Sequence, residues 1–260
     1  LTYFLTILKR KMNIIEPNKL KIYPSKQTID QKLGLPSVFD DRNAVYVVSG
    51  GQGSGKSTWL NSAMTCRKKD GKIFAGCFEK VFYATPEECF SSEENHPFKN
   101  HIKSRLYHTF DAKMLNNVIE QALENKHENK GNSALVIDDF TEELKSVETI
   151  KLLKKIINKH RHYHLTIIIS SLTLKSNPRA IRSLIDYYIF FKPKGLLELE
   201  GYTDEIFGLT KKEMLKVMDF VFDEPHNFLM YNNRRNYYYK NFDRFILPPD
   251  DGKEVKIIPL

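Results

Sequence analysis

The sequence predicts an α/β protein: a mostly parallel sheet with helices on both faces. From about Asn43, short apolar runs rich in Val, Ile, Tyr and Phe alternate with longer amphipathic stretches. Most of these runs are apolar on successive residues rather than alternate ones, as strands covered on both faces are. A glycine-rich stretch joins the first run to the first helix, an arrangement that recurs where a sheet edge holds phosphate.

The expected strands are "AVYVVS" (44–49), "KVFYAT" (80–85), "SALVID" (133–138), "LTIIISS" (165–171) and "DYYIFFK" (186–192). After the first comes a helix with Trp59, Leu60, Ala63 and Met64 facing inward. Asp111 to Glu128 repeats an apolar doublet every four residues: Met114 and Leu115, Val118 and Ile119, Ala122 and Leu123. Thr141 to Arg161 carries Leu144, Val147, Ile150, Leu153, Ile156 and Ile157 on one side, and Lys151, Lys154, Lys155 and Lys159 on a solvated side. "KPKG" then marks a turn. Thr210 and Glu213 form a capping box ahead of Met214, Leu215, Met218 and Val221. "NFLMY" and "NYYYKNF" read as two strands around "NNRR", and Pro248 and Pro249 open a polar tail. This divides the chain into an extension (1–42), a core (43–195) and a helix-and-hairpin elaboration of the same domain (196–260). Met12, after the basic "KRK", is the expected natural start.

Composition narrows the setting. The chain has 260 residues, 41% of them hydrophobic, enough for one sizeable core. Forty Lys and Arg against 32 Asp and Glu give a formal net charge of +8, which favours a polyanionic partner. Cys66, Cys77 and Cys89 are odd in number and lack metal-ligand spacing, so the sequence points to a reducing, intracellular setting. "YFLTIL" is too short to span a bilayer, and no membrane association is expected.

Gly50 to Ser57, "GGQGSGKS", fits G-x-x-x-x-G-K-[ST] between a strand and a helix. Glycines let successive N–H groups converge on one cavity, and the helix start adds partial positive charge. The nucleotide-binding set is therefore Gly50, Gly51, Gln52, Gly53, Ser54, Gly55, Lys56, Ser57 and Thr58. Lys56 is placed to bridge the β- and γ-phosphates, and the Ser57 hydroxyl to take one position on Mg²⁺. The expected cofactors are ATP and Mg²⁺.

"ALVIDDF" puts Asp138 and Asp139 at a strand end. Asp138 suits a carboxylate that orients Mg²⁺ through a water. Asp139 suits an acid that polarises the water attacking the γ-phosphate, or else an N-cap for the run near Thr141. "HRHYHLTIIISS" closes a helix with basic residues and ends a strand in Ser170 and Ser171. A polar group there points toward the γ-phosphate if this strand lies between the two motif strands. Arg161 fits an arginine finger or a cation at a helix C-terminus equally well.

"GGQGSGKST", "LVIDD", "HRHYHLTIIISS" and "NPRAIRSLIDYYIFF", with the later "HNFLMY" and "NYYYKNFDRFI", together resemble the FtsK/HerA superfamily of DNA-pumping P-loop NTPases. Within it they resemble the genome-packaging ATPases of poxviruses, other large eukaryotic DNA viruses and virophages. The resemblance covers about Asn43 to Arg244. It implies a RecA-like sheet with the sensor strand between the motif strands, a homo-oligomeric ring, and ATP-driven movement of double-stranded DNA into a preformed capsid. The implied partners are duplex DNA and a capsid or portal-vertex protein. The implied location is the host cytoplasm at viral assembly sites, with association with the virion as an extension of it. Carried onto this sequence, Lys56 and Ser57 match the phosphate and Mg²⁺ contacts, Asp138 the metal carboxylate, Asp139 the catalytic acid, and Arg161 the arginine that reaches a neighbouring site. Many relatives end the sensor strand in Ser-Gln or Thr-Gln. Here it ends in Ser170-Ser171, with Ser171 in the sensor position.

Two other classes share the phosphate loop. A nucleoside or small-molecule kinase closes an arginine-rich lid and excludes water, whereas this chain sets a second carboxylate beside the metal. A GTP-dependent switch carries Asn-Lys-x-Asp; the nearest stretches, "NKHE" (125–128) and "NKHR" (158–161), lack the Asp. Lys68, Lys69 and Lys72, the Lys99 to Arg105 stretch and "KSNPRAIR" supply cations suited to a phosphate backbone or to solvent.

Overall fold

The sheet builds outward from the strand that enters the phosphate loop. In a computed structural model, which describes residues 31–92, 96–140, 146–195, 198, 201–247 and 256–258, the order is β10-β9-β8-β7-β6-β1-β5-β4-β2-β3. The strands are β1 (Val45–Ser49), β2 (Lys80–Ala84), β3 (Leu106–Tyr107), β4 (Ser133–Asp138), β5 (Leu165–Ser171), β6 (Tyr187–Phe191), β7 (Phe228–Asn232), β8 (Tyr237–Lys240), β9 (Asp243–Ile246) and β10 (Lys256–Ile258). β6 through β3 run parallel. β7 to β10 continue the sheet antiparallel. β5 lies between β1 and β4, so both motif strands flank it. The C-terminal end holds more strands than a single hairpin, because β9 and β10 extend past it. The two-residue β3 is too short to leave a sequence pattern.

Helices cover both faces. α1 (Lys56–Thr65) buries Trp59, Leu60, Ala63 and Met64 on one face. Val38 and Phe39 from the segment before β1 join that cluster, as does Phe74. α3 (Ala112–His127), α4 (Val147–Lys159) and α6 (Lys211–Val221) cover the other; the shorter α2 (Glu87–Ser92) and α5 (Arg179–Arg182) sit in the connections. α4 begins at its N-cap Ser146, so Val147 lies in the first turn and is 82% exposed; Thr149 is buried instead. In α6 Val217 is buried and Leu215 is exposed, which turns the apolar stripe by one position. The capping box of Thr210 and Glu213 is formed. The expectations for the chain before residue 31, for Thr141 and Leu144, and for Pro248 and Pro249 fall outside the described residues. Among the described residues no helix is long and apolar enough to cross a membrane.

Asp111 caps α3 by accepting the Met114 N–H at 2.8 Å. Asp111→Ala is expected to lower stability by about 1 kcal/mol while Asp111→Asn stays near the parent, read as the urea midpoint at constant slope.

Candidate functional site

The phosphate loop curls between β1 and α1, and its glycines are conformational requirements. Gly55 has φ 109°, and a Cβ there would meet the Phe191 ring at 3.2 Å; at Gly50 it would lie 2.7 Å from Phe191 Cβ. Gly55 is also the N-cap of α1, without a side chain to cap it, and the first turn holds no acid. The first-turn N–H groups are thus presented to a ligand. Ser54 Oγ is buried with no hydrogen-bond partner among the described residues. An orphaned hydroxyl beside an uncapped helix start fits a bound anion. Lys56 Nζ turns back to donate to the Gly50 and Gly51 carbonyls, at 2.6 and 3.2 Å. Burial lowers its pKa, against the Asp139 and Asp138 carboxylates, which raise it; Lys194 lowers it further.

Two cavities meet at this loop and share Gly53, Lys56 and Ser57. The larger, about 610 Å³, has walls of Trp59, Ile73, Phe191, Phe228 and Phe242, and extends from the loop past Thr58 and His226. Its aromatic walls suit a planar base. The smaller, about 460 Å³, is polar and is lined by Gln52, Asp138, Asp139, Ser170, Thr85, Cys89 and His96 as well as the shared residues. One compartment is aromatic and the other polar, a division that suits the base and the terminal phosphate of a nucleoside triphosphate. The Ser57 hydroxyl and the Asp138 carboxylate, both in the second, are the hard oxygen donors that Mg²⁺ takes.

Asp138 and Asp139 share the smaller cavity because of a backbone turn. Successive residues of a strand point to opposite faces. β4 ends at Asp138, and Asp139 adopts φ 62°, with its N–H 3.4 Å from the Ser170 carbonyl. Asp is among the few residues that enter this left-handed region readily. Cys89 Sγ lies 3.7 Å from Asp139 Oδ2; burial and then Asp139 push its thiol pKa up.

The same alternation separates the two serines. Ser170 is in register with Asp138 and lines the polar cavity. Ser171 is on the opposite face: its hydroxyl accepts from Asn177 Nδ2 at 2.8 Å and donates to the Thr173 carbonyl at 3.2 Å. The structure therefore does not bring Ser171 to the phosphate side, and Ser170 is the polar strand end that it places there. Arg161 precedes β5, at the edge of the sheet opposite the loop. β5 has seven residues, so the two edges are about 20 Å apart and Arg161 is remote from the cavities of its own chain.

Several site residues had no local signature. Lys194, from the "KPKG" turn, lies over the loop; a Cβ at Gly51 would come within 2.7 Å of its Cε. His226 Nδ1 is 3.1 Å from the Ser54 carbonyl. Of the cationic stretches, "KSNPRAIR" loses Arg182 to internal partners: it donates to the Asn177 carbonyl at 2.7 Å and pairs with Glu205. Lys175, Arg179, Lys68, Lys69 and Lys72 are exposed.

The sequence matches a family model described as Poxvirus A32 protein over residues 39–231. The fold is similar to that of B204, the DNA-packaging ATPase from Sulfolobus turreted icosahedral virus, with a TM-score of 0.57 and 18% identity over 76% of this chain and 96% of that one. It is also similar to the genome-packaging NTPase B204 from Sulfolobus turreted icosahedral virus 2. The complex with ATP-gammaS has a TM-score of 0.54 and that with AMP 0.57, each at 17% identity over 76% of this chain and 96% of that one. No curated protein sequence matches the chain. At these identities the structural likeness is one of fold. The family match spans most of the chain, from the residues before β1 through β7. The chain belongs to the poxvirus A32 protein family.

Proposed function

We propose that this protein hydrolyses ATP and uses the energy, as a ring of identical subunits, to move double-stranded DNA into a viral capsid. The observation that carries the hydrolase reading is the pair Asp138 and Asp139 in one cavity with Lys56 and Ser57. One carboxylate beside a metal suffices for phosphoryl transfer to many acceptors; a second one in the same cavity favours water as the acceptor. The fold and the family, whose structural relatives include packaging ATPases, support the coupling to DNA. The portal or capsid protein is the expected docking partner, and the host cytoplasm at sites of virion assembly the expected setting.

In this reading the first-turn N–H groups of α1 hold the β-phosphate, and Lys56 leaves the Gly50 and Gly51 carbonyls to bridge the β- and γ-phosphates. Ser57 and Asp138 would hold Mg²⁺, which when bound would supply positive charge beside the phosphate oxygens. Asp139 orients the attacking water and takes its proton as the water oxygen bonds to the γ-phosphorus and the bond from that phosphorus to the β,γ-bridging oxygen breaks, so that ADP leaves with the electron pair and phosphate is released. Ser170 hydrogen-bonds on the γ-phosphate side. Gln52 lines the same cavity, while the aromatic walls hold the base.

Phosphate release with ATP, measured with and without duplex DNA, tests this. Hydrolysis is expected to rise with duplex DNA of any sequence, and the stimulation to fall steeply with added salt, as backbone contacts require. Transfer to a nucleoside without hydrolysis would instead establish the kinase class.

A further inference from the structure

Asp138 does not stand alone at the end of β4. Tyr83, on the neighbouring β2, is in register with Val136, two residues before Asp138. Its phenol runs along the sheet to the strand end and donates to Asp138 Oδ2 at 3.0 Å. The ring is held from outside: Phe98 stacks on it at 4.4 Å between centroids and 19° between planes. His96, buried like Tyr83, places Nε2 3.2 Å from the phenol oxygen.

The direction of this chain of bonds follows from its far end. The Phe98 backbone N–H donates to His96 Nδ1 at 3.2 Å. A ring nitrogen that accepts carries no proton, so neutral His96 has its proton on Nε2. Nε2–H then donates to the Tyr83 oxygen, which leaves the Tyr83 O–H to donate to Asp138. Each bond fixes the next, and the last is charge-assisted and correspondingly strong. One carboxylate oxygen of Asp138 is thereby held, and its plane is set, before any ligand arrives.

We propose that Tyr83 and His96 are positioning residues for Asp138, and that together they set how strongly Mg²⁺ tightens nucleotide binding. Neither touches the reacting atoms in this role. The outer partners of metal-holding groups have this effect in general, since a ligand free to rotate loses ordering entropy on binding. The proposal rests on the hydrolase reading, because it presumes a metal-nucleotide complex at Ser57 and Asp138.

Trp59 is the only tryptophan of the chain and lines the larger cavity, so its fluorescence reports nucleotide binding without turnover. ATPγS is titrated with and without Mg²⁺, and the ratio of the two dissociation constants is the readout. Tyr83→Phe keeps the ring and its stack on Phe98 and removes only the hydroxyl. It is expected to cut the Mg²⁺ ratio by about tenfold or more while leaving metal-free binding unchanged. His96→Ala is expected to cut the Mg²⁺ ratio by a similar factor, and His96→Gln, which retains an N–H donor, to restore most of it. A wild-type ratio in Tyr83→Phe overturns the proposal. A loss in His96→Gln equal to that in His96→Ala removes His96 from it. If the wild-type protein binds ATPγS with no Mg²⁺ dependence, the hydrolase reading itself falls, and that result is seen before any variant is made.

Discussion

Asp139→Asn is expected to yield a protein that binds ATP with Mg²⁺ as the parent does and turns it over about 10² to 10⁴ times more slowly, the contribution of a positioned general base. Asparagine is the informative replacement. Asp139 has φ 62°, a conformation that asparagine shares with aspartate and that alanine enters at a cost. The amide therefore keeps the backbone turn, the contact to the Ser170 carbonyl and the place beside Asp138, and removes only the charge and the basicity. Nucleotide affinity by equilibrium titration and single-turnover phosphate release separate the two effects. Normal hydrolysis by the variant would return Asp139 to a purely structural role in the turn. Loss of binding together with hydrolysis would mean that the carboxylate holds the metal rather than the water.

Mixing Arg161→Ala subunits with Lys56→Ala subunits is expected to restore hydrolysis that neither shows alone. Lys56→Ala removes the cation proposed to bridge the phosphates. Each of its charge-assisted bonds contributes about 1.5 to 3 kcal/mol, so nucleotide binding weakens by at least tenfold. Arg161→Ala leaves its own cavities intact, because Arg161 lies at the far edge of the sheet, about 20 Å from the loop along β5. A guanidinium at that edge can stabilise a transferring phosphoryl group only in a neighbouring subunit, where its removal costs about 10³ to 10⁵ in rate. In a mixed ring, a Lys56→Ala subunit supplies Arg161 to an intact phosphate loop next to it. Failure of the mixture to recover activity, with both proteins assembled, would leave Arg161 as a cation at the C-terminus of α4. Full DNA-stimulated activity in monomers would do the same.

Much of this site is legible in order along the chain. The loop from Gly50 to Ser57 declares itself because positive φ and close approach demand glycine, and these are properties of a residue and its immediate neighbours. The acids at 138 and 139 follow an apolar run that ends at a sheet edge, and that too is local. The alternation of apolar runs with helical stripes gave five of the core strands to within one residue at each end. Among the described residues the stripes misplaced Val147 and Leu215, where a helix start and a small rotation moved one side chain each into solvent.

The choice between Ser170 and Ser171 lay outside that reach. Both are buried serines at one strand end, and the register with Asp138 on β4, not anything in "IIISS", decides which faces the phosphates. Tyr83, His96, Lys194, His226 and the aromatic wall of Phe191, Phe228 and Phe242 come from five separate segments that only the sheet order brings to the loop. A loop shaped for phosphate and the two acids at the strand end can be read from the chain alone, because backbone conformation and burial are written in neighbouring residues. The tertiary structure decided what surrounds them. Register, face and edge are relations between strands distant in the chain, and they exist only once the sheet has formed.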